Sequence, residues 1–219
     1  MGVEEIRQTW VEIDLDALAY NIESIKEKAG KDRAIIGVVK ADAYGHGAVQ
    51  TAQVLEEHGV DIFAVATVKE AMELRDAGFD EKILILGITP KSCDEIVVNE
   101  KLIPVIGSYN DALALSQKAQ ELDKDVSVML ALDTGMGRIG FVLRNMEDII
   151  AAEDEISEIF GLDRLNVEGV ISHFSKADEA DRSYTESQLE IFNQFYEKLS
   201  SDGYSLPFLT IANSAAIME

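Results

Sequence analysis

The sequence predicts an α/β protein built as a (β/α)8 TIM-type barrel that stops short of its eighth unit. Three observations lead there. Short, continuously apolar and β-rich runs recur seven times, helix-like stretches lie between most of them, and the 219 residues contain no linker rich in Pro, Gly or Ser. Apolarity that is continuous rather than alternating marks strands buried on both faces, as in parallel sheets. An eight-unit barrel takes about 250 residues, so seven units at this length point to a barrel lacking one unit more than to an open sheet. With no low-complexity tract and no sequence repeat beyond the alternation itself, one domain over residues 1–219 is the economical reading.

The leading segment, residues 1–30, contains TWVEIDLDALAYNIESIKEKAG. The alternating WVEID at 10–14 reads as a half-exposed strand, and Asp14 or Asp16 as the cap of a following helix. Residues 31–219 carry the barrel units. The strands are AIIGVV (34–39), IFAVAT (62–67), ILILGI (83–88), LIPVI (102–106), VSVMLAL (126–132), VEGVIS (167–172) and FLTIAN (208–213). Between them AVQTAQVLEEHG (48–59), VKEAMELRDAG (68–78), SYNDALALSQKAQELD (108–123) and SYTESQLEIFNQFYEKLSSDG (183–203) repeat apolar residues at i, i+3 and i+4. Glycine stands near several of their ends, which marks them as helices.

Composition excludes more than it assigns. Lys and Arg number 19 against 41 Asp and Glu, a net charge of −22 that repels phosphate backbones and anionic lipid surfaces. Nucleic acid and membrane are therefore not expected partners. Solvated helix faces account for this charge; adaptation to a salty cytoplasm is the sharper reading of the same number. No apolar run approaches the roughly 20 residues of a membrane span, and MGVEEIRQTW lacks the order of a secretory signal, so a cytoplasmic protein is expected. The single cysteine, Cys93, excludes an internal disulfide and a multi-thiolate zinc site, and His46 and His58 lack the spacing of a metal pair.

Chemistry concentrates in VVKADAYGHG at 38–47, where Lys40 emerges directly from a buried strand. Barrel active sites lie at the C-terminal ends of strands, and a desolvated lysine there can form a Schiff base with an aldehyde cofactor. The alternative is a lysine that snorkels into water. Tyr44, Gly45 and Gly47 favour a site, offering a hydroxyl and close backbone approach for an anionic group. DTGMGRIGF at 133–141 also fits G-x-G-x-x-G through Gly135, Gly137 and Gly140. A dinucleotide site is disfavoured there, because that fingerprint belongs on the first strand of a doubly wound half and Arg138 would crowd the turn. Arg138 has its own bland reading, pairing with a surface carboxylate. His173 ends a strand between Ser172 and Ser175, but strand neighbours point to opposite faces, so Ser172 should not present its hydroxyl to the imidazole.

These stretches, VVKADAYGHG, DTGMGRIGF, HFSKADE (173–179) and ANSAA (212–216), resemble in order the motifs of the alanine racemase family, over Thr9 to the last residue. The resemblance implies a pyridoxal 5′-phosphate enzyme of the barrel type interconverting L- and D-alanine. It implies that Lys40 holds the cofactor and acts as the base on one face of the substrate carbon. Tyr44 would bond the cofactor phosphate, and Arg138 would face its phenolic oxygen and help place the substrate carboxylate. His173 would lie against the pyridine ring, Asn213 and Ser214 would support the ring and phosphate end, and Leu86 would pack nearby. No metal is implied.

The same resemblance exposes departures. Family members carry a β-rich C-terminal domain bearing a tyrosine, the second acid–base group, delivered across a homodimer. That domain and the last β/α unit lie beyond Glu219, so an N-terminal domain with little activity alone and weak cofactor binding is expected, with open strand edges that favour association or disordered ends. Ala131 stands where many members place a carbamylated lysine that buttresses the arginine, and Thr210 where a histidine is common. Rival readings are a single-domain pyridoxal phosphate-binding homeostasis protein, a racemase for serine, ornithine or lysine, and a barrel-type interaction module without chemistry.

Overall fold

In the computed structural model, residues 9–218 are described. The element order is α1 (Leu15–Ala29), β1 (Ile36–Val38), α2 (Lys40–Gly45), α3 (Ala48–Glu57), β2 (Ile62–Val65), α4 (Val68–Asp76) and β3 (Lys82–Ile85). A 3-10 turn and α5 (Asp94–Asn99) lead to β4 (Ile103–Ile106), α6 (Tyr109–Glu121), β5 (Val126–Asp133) and β6 (Phe141–Val142). The chain ends with α7 (Met146–Phe160), β7 (Leu165–Ile171), α8 (Ser183–Ser201), β8 (Phe208–Thr210) and α9 (Ser214–Met218). All seven expected strands form, in the parallel order β1-β2-β3-β4-β5-β7-β8, with the short β6 paired to β5 off this path.

Side-chain alternation explains why the runs are apolar throughout. Ile62 and Ala64 of β2, Leu84 of β3, Ile103 and Val105 of β4, and Met129 and Ala131 of β5 pack into one inner cluster, joined by Ile36, Leu86, Ile139, Ile171 and Phe208. Their neighbours Phe63, Val65, Ile83, Ile85, Val128, Leu130 and Val170 face outward, into a second cluster with helix residues such as Leu74, Leu115, Ile156 and Phe195. The central strands are thus buried on both faces, as a parallel barrel requires, while the edge strands β1 and β8 are only partly covered, with Val38 and Leu209 40% and 43% exposed.

The sheet curls. Lys82 of β3 and Glu168 of β7 are not on neighbouring strands, yet Lys82 Nζ lies 2.8 Å from Glu168 Oε2 and 4.6 Å from the centre of the Phe208 ring on β8. Ser127 Oγ on β5 donates to Glu168 Oε1 at 2.9 Å. Burial alone would raise the Glu168 carboxyl, but hydrogen bonds from Lys82 and Ser127 hold it below its ordinary value. Outside the sheet, α9 packs against α1. The curl is incomplete: β1 and β8 each have one strand neighbour, and no pairing joins them among the described residues.

Helix ends follow their sequence signals. Asp14, not Asp16, caps α1, accepting the Ala17 amide at 2.9 Å, and Thr67 with Glu70 forms a reciprocal capping box on α4. The leading strand does not form. WVEID carries no strand pairing, and Trp10 and Val11 are left 74% and 82% exposed. The alternation is present but no partner strand lies beside it, and a lone extended segment has nowhere to place its backbone hydrogen bonds except water. Residues 1–8 of the expected leading segment lie outside the described residues. No described helix is long and apolar enough to cross a membrane.

Candidate active site

β1 delivers Lys40 to the C-terminal mouth of the barrel. Ile36 faces inward and Gly37 packs outward against Leu55, Phe63 and Val60, so by alternation Val38 returns to the inner side, and the chain leaves the strand at Val39 to begin α2 at Lys40. Immediately afterwards the backbone turns left-handed. Ala41, Asp42, Ala43 and Tyr44 have φ between 49 and 56°. No glycine occupies these four positions, and left-handed geometry costs roughly 1–2 kcal/mol per non-glycine residue. Surrounding groups hold it. Glu70 Oε1 accepts the Ala41 amide at 2.9 Å, while Glu70 Oε2 accepts the Ala66 and Thr67 amides at 2.7 and 3.1 Å. Asp42 Oδ1 accepts the Ala48 amide at 2.7 Å, tying the turn to α3. Strain concentrated beside one lysine is a mark of a functional position. The Lys40 ammonium lies 5.9 Å from the centre of the Tyr44 ring, which is itself 65% exposed.

Arg138 reaches the same mouth on the loop between β5 and β6. Asp133, 5% exposed, organises this loop by accepting the Gly135 and Gly137 amides on Oδ1 at 3.0 and 2.8 Å, while Oδ2 lies 3.6 Å from Arg144. Gly140 closes it. At φ +115°, a Cβ there would stand 2.5 Å from the Ala131 carbonyl oxygen, so no larger residue fits. The chain then enters β6 rather than a helix, and the strand order does not reverse at this point, which removes the dinucleotide reading of the glycine pattern. Arg138 is exposed and forms no ion pair or hydrogen bond among the described residues, so the surface-carboxylate reading fails as well. Ala131, in the buried inner cluster, offers the guanidinium no polar support.

His173 follows β7, half-buried, with its ring held below the ordinary histidine value first by burial and then by the charges of Arg138 and Lys40. The charges of Arg138 and Lys40 thus reach the imidazole and, after burial, disfavour its protonated form. As strand alternation requires, Ser172 turns away and donates to the Leu132 carbonyl at 2.7 Å. Leu86 packs in the inner cluster with Ile139 and Ile171, neighbours of Arg138 and Ser172 in the chain. Asn213 Nδ2 donates to the Phe174 carbonyl at 3.3 Å, beside His173, while its Oδ1 accepts the Ala216 amide at the start of α9. Ser214 is exposed on α9 and makes no side-chain hydrogen bond to the other candidates among the described residues. Thr210 contributes its carbonyl to Ser172 at 2.9 Å, and its hydroxyl makes no hydrogen bond among the described residues.

Two residues outside the expected set hold the backbone around these side chains: Glu70, through the Ala41 amide, and Gln188, through the His173 carbonyl. Glu70 had a readable signal, the T-x-x-E spacing at the start of α4. Gln188 had none: it is a glutamine in the middle of a helix.

A family model described as the alanine racemase N-terminal domain matches residues 13–219. The alanine racemase of Clostridium kluyveri is 44% identical over 216 residues, covering 99% of this chain and 54% of its own. Among solved structures, the alanine racemase of Clostridium difficile 630 has a TM-score of 0.90 at 39% identity, covering 96% of this chain and 54% of that one. The alanine racemase of Bacillus anthracis with bound L-Ala-P has a TM-score of 0.88 at 33% identity, covering 97% and 54%. The chain spans about half the length of the relatives it matches.

Proposed function

This chain belongs to the alanine racemase N-terminal domain family, and from that premise we propose that it is the cofactor-binding barrel of a pyridoxal phosphate-dependent racemase interconverting L- and D-alanine. One observation carries the reading. In a chain of net charge −22, the charges of Lys40 and Arg138 both act on the half-buried His173 ring, and neither cation pairs with a carboxylate among the described residues. Two cations left without anions at a barrel mouth suit a ligand that brings its own negative charge.

The residues present fit pyridoxal phosphate. An amine, a guanidinium, a flat neutral ring and two glycines at positive φ, Gly45 and Gly47, offer partners for an aldehyde, a phenolate, an aromatic ring and a phosphate. Lys40 would hold the group covalently, with Tyr44, Leu86, Arg138, His173, Asn213 and Ser214 around it. When bound, pyridoxal phosphate supplies the electron sink for negative charge at the substrate's α-carbon.

The remaining work falls to the chain. Lys40 moves the proton on one face of the α-carbon through its Nζ. Arg138 orients the substrate carboxylate, its planar fork matching two oxygens. His173, lacking a charge, adds no third cation to the site. The second proton-transfer group required on the opposite face belongs, in this proposal, to the portion of the relatives that these residues do not span, supplied within a homodimer. The 219 residues alone then bind cofactor weakly and turn over alanine slowly.

The test is colour and turnover. Addition of pyridoxal phosphate is expected to give a yellow form that borohydride bleaches and Lys40→Ala cannot produce, with alanine racemisation near background. Rapid racemisation by these residues alone, or the same colour in Lys40→Ala, would contradict the proposal.

A further inference from the structure

Arg138 has no side-chain partner among the described residues, so its position is set by the backbone that carries it. That backbone is gripped from α8, about 50 residues further along the chain. Gln188 is 1% exposed and uses its amide fully. Its Oε1 accepts from the Ser175 amide at 3.0 Å and the Ser175 hydroxyl at 3.1 Å. Its Nε2 donates to the His173 carbonyl at 3.1 Å and to Thr134 Oγ1 at 3.2 Å.

The direction of every bond is fixed by chemistry. A backbone amide can only donate and a carbonyl can only accept, so the Gln188 amide has one orientation. Ser172 commits its single hydroxyl hydrogen to the Leu132 carbonyl, so Thr134 donates to Ser172 Oγ at 3.0 Å and must receive from Gln188. The chain Gln188, Thr134, Ser172, Leu132 thus runs one way, and only a group that both donates and accepts can start it. One helical turn earlier on the same face, the Tyr184 hydroxyl donates to the Gly135 carbonyl at 2.7 Å. Consecutive residues 134 and 135 of the Arg138 loop are therefore tied to one helix, and that helix also ties the strand end carrying His173.

We propose that Gln188 is a positioning residue: it sets where the Arg138 loop stands relative to His173, and so the spacing of the two groups that flank the ligand. The consequence for the ligand rests on the pyridoxal phosphate reading above; the positioning itself does not.

Amide hydrogen exchange separates the two. In the 219-residue chain, Gln188→Leu is expected to speed exchange over residues 134–141 by roughly tenfold, the loss of about one buried hydrogen bond, with β2 and β3 unchanged. Gln188→Glu keeps the shape but cannot donate when ionised. Its exchange over the same residues should exceed wild type at pH 7 and return toward it as the introduced carboxyl is protonated, a rescue that general loosening of the core would not give. Unchanged exchange over 134–141 in both variants, or an increase spread evenly over the chain, would overturn the proposal. Should Gln188→Leu lose its cooperative unfolding transition, Gln188→Glu and Tyr184→Phe decide in its place. Titration with pyridoxal phosphate then reads the ligand consequence: weaker uptake by several-fold in Gln188→Glu, with Lys40 still reacting. If wild type takes up no cofactor, the functional reading fails while the exchange result still stands or falls separately.

Discussion

Two segments at the mouth of the barrel each present a cation, and they are held in opposite ways. The turn after β1 places Lys40 by backbone geometry: four residues in the left-handed region, braced by Glu70 and Asp42, both within 30 residues of it. The loop after β5 places Arg138 with three glycines that accept unusual backbone angles, one buried aspartate, and a grip from α8 across the fold. A strained turn is rigid because its neighbours over-determine it; a glycine loop is rigid only as long as its distant partners hold. In the proposed function, the lysine that holds the cofactor sits on the first kind of segment, and the arginine that orients the substrate carboxylate on the second.

Removing the brace of each segment tests the contrast. Glu70→Ala leaves three backbone amides, of Ala41, Ala66 and Thr67, without their carboxylate acceptor. With charge-assisted hydrogen bonds at stake, a loss of about 2–4 kcal/mol in unfolding free energy is expected by denaturant titration, together with loss of lysine-bound cofactor colour. A smaller effect follows Asp133→Asn, because the amide oxygen still accepts the Gly135 and Gly137 amides and only charge is removed. About 1 kcal/mol is expected by the same titration, partly offset because the lost partner Arg144 is exposed. If the two substitutions cost the same, the distinction between a braced turn and a glycine loop is wrong.

His173 reads both segments at once, since the charges of Lys40 and Arg138 add to burial in holding its ring neutral. Its folded value is depressed, so the unfolded chain takes up the proton first as pH falls. The stability this histidine contributes is present above the unfolded value near 6.5 and is lost progressively as pH falls through the folded one. Wild type should therefore lose stability on acidification below about pH 6.5 more steeply than His173→Asn, measured by thermal unfolding across pH. Equal slopes would mean that neither burial nor the two cations depress the ring.

What was legible in the sequence follows from the same physics. The central strands were readable because both their faces are buried, so apolar runs such as Ile62–Val65 needed no knowledge of the fold. Lys40, Tyr44 and the two glycines were readable because they act locally, within eight residues. The left-handed turn was not, since Ala41, Asp42, Ala43 and Tyr44 carry no glycine to announce it. Glu70 could have been found through its capping box, although its reach to the Ala41 amide on the neighbouring unit could not. WVEID keeps its alternation without pairing, because alternation reports a half-exposed strand that needs a partner and none lies among the described residues. Gln188 had no local signature, because all its side-chain hydrogen bonds span at least 13 residues.

The account stands on the Lys40 amine as the point of covalent attachment. Incubating the chain with pyridoxal phosphate, reducing with borohydride and mapping the added mass by peptide mass spectrometry addresses this directly, because reduction accumulates even weakly held cofactor. The expected result is modification concentrated at Lys40, suppressed by Glu70→Ala. Modification spread over the surface lysines with Lys40 no more labelled than the others would contradict it.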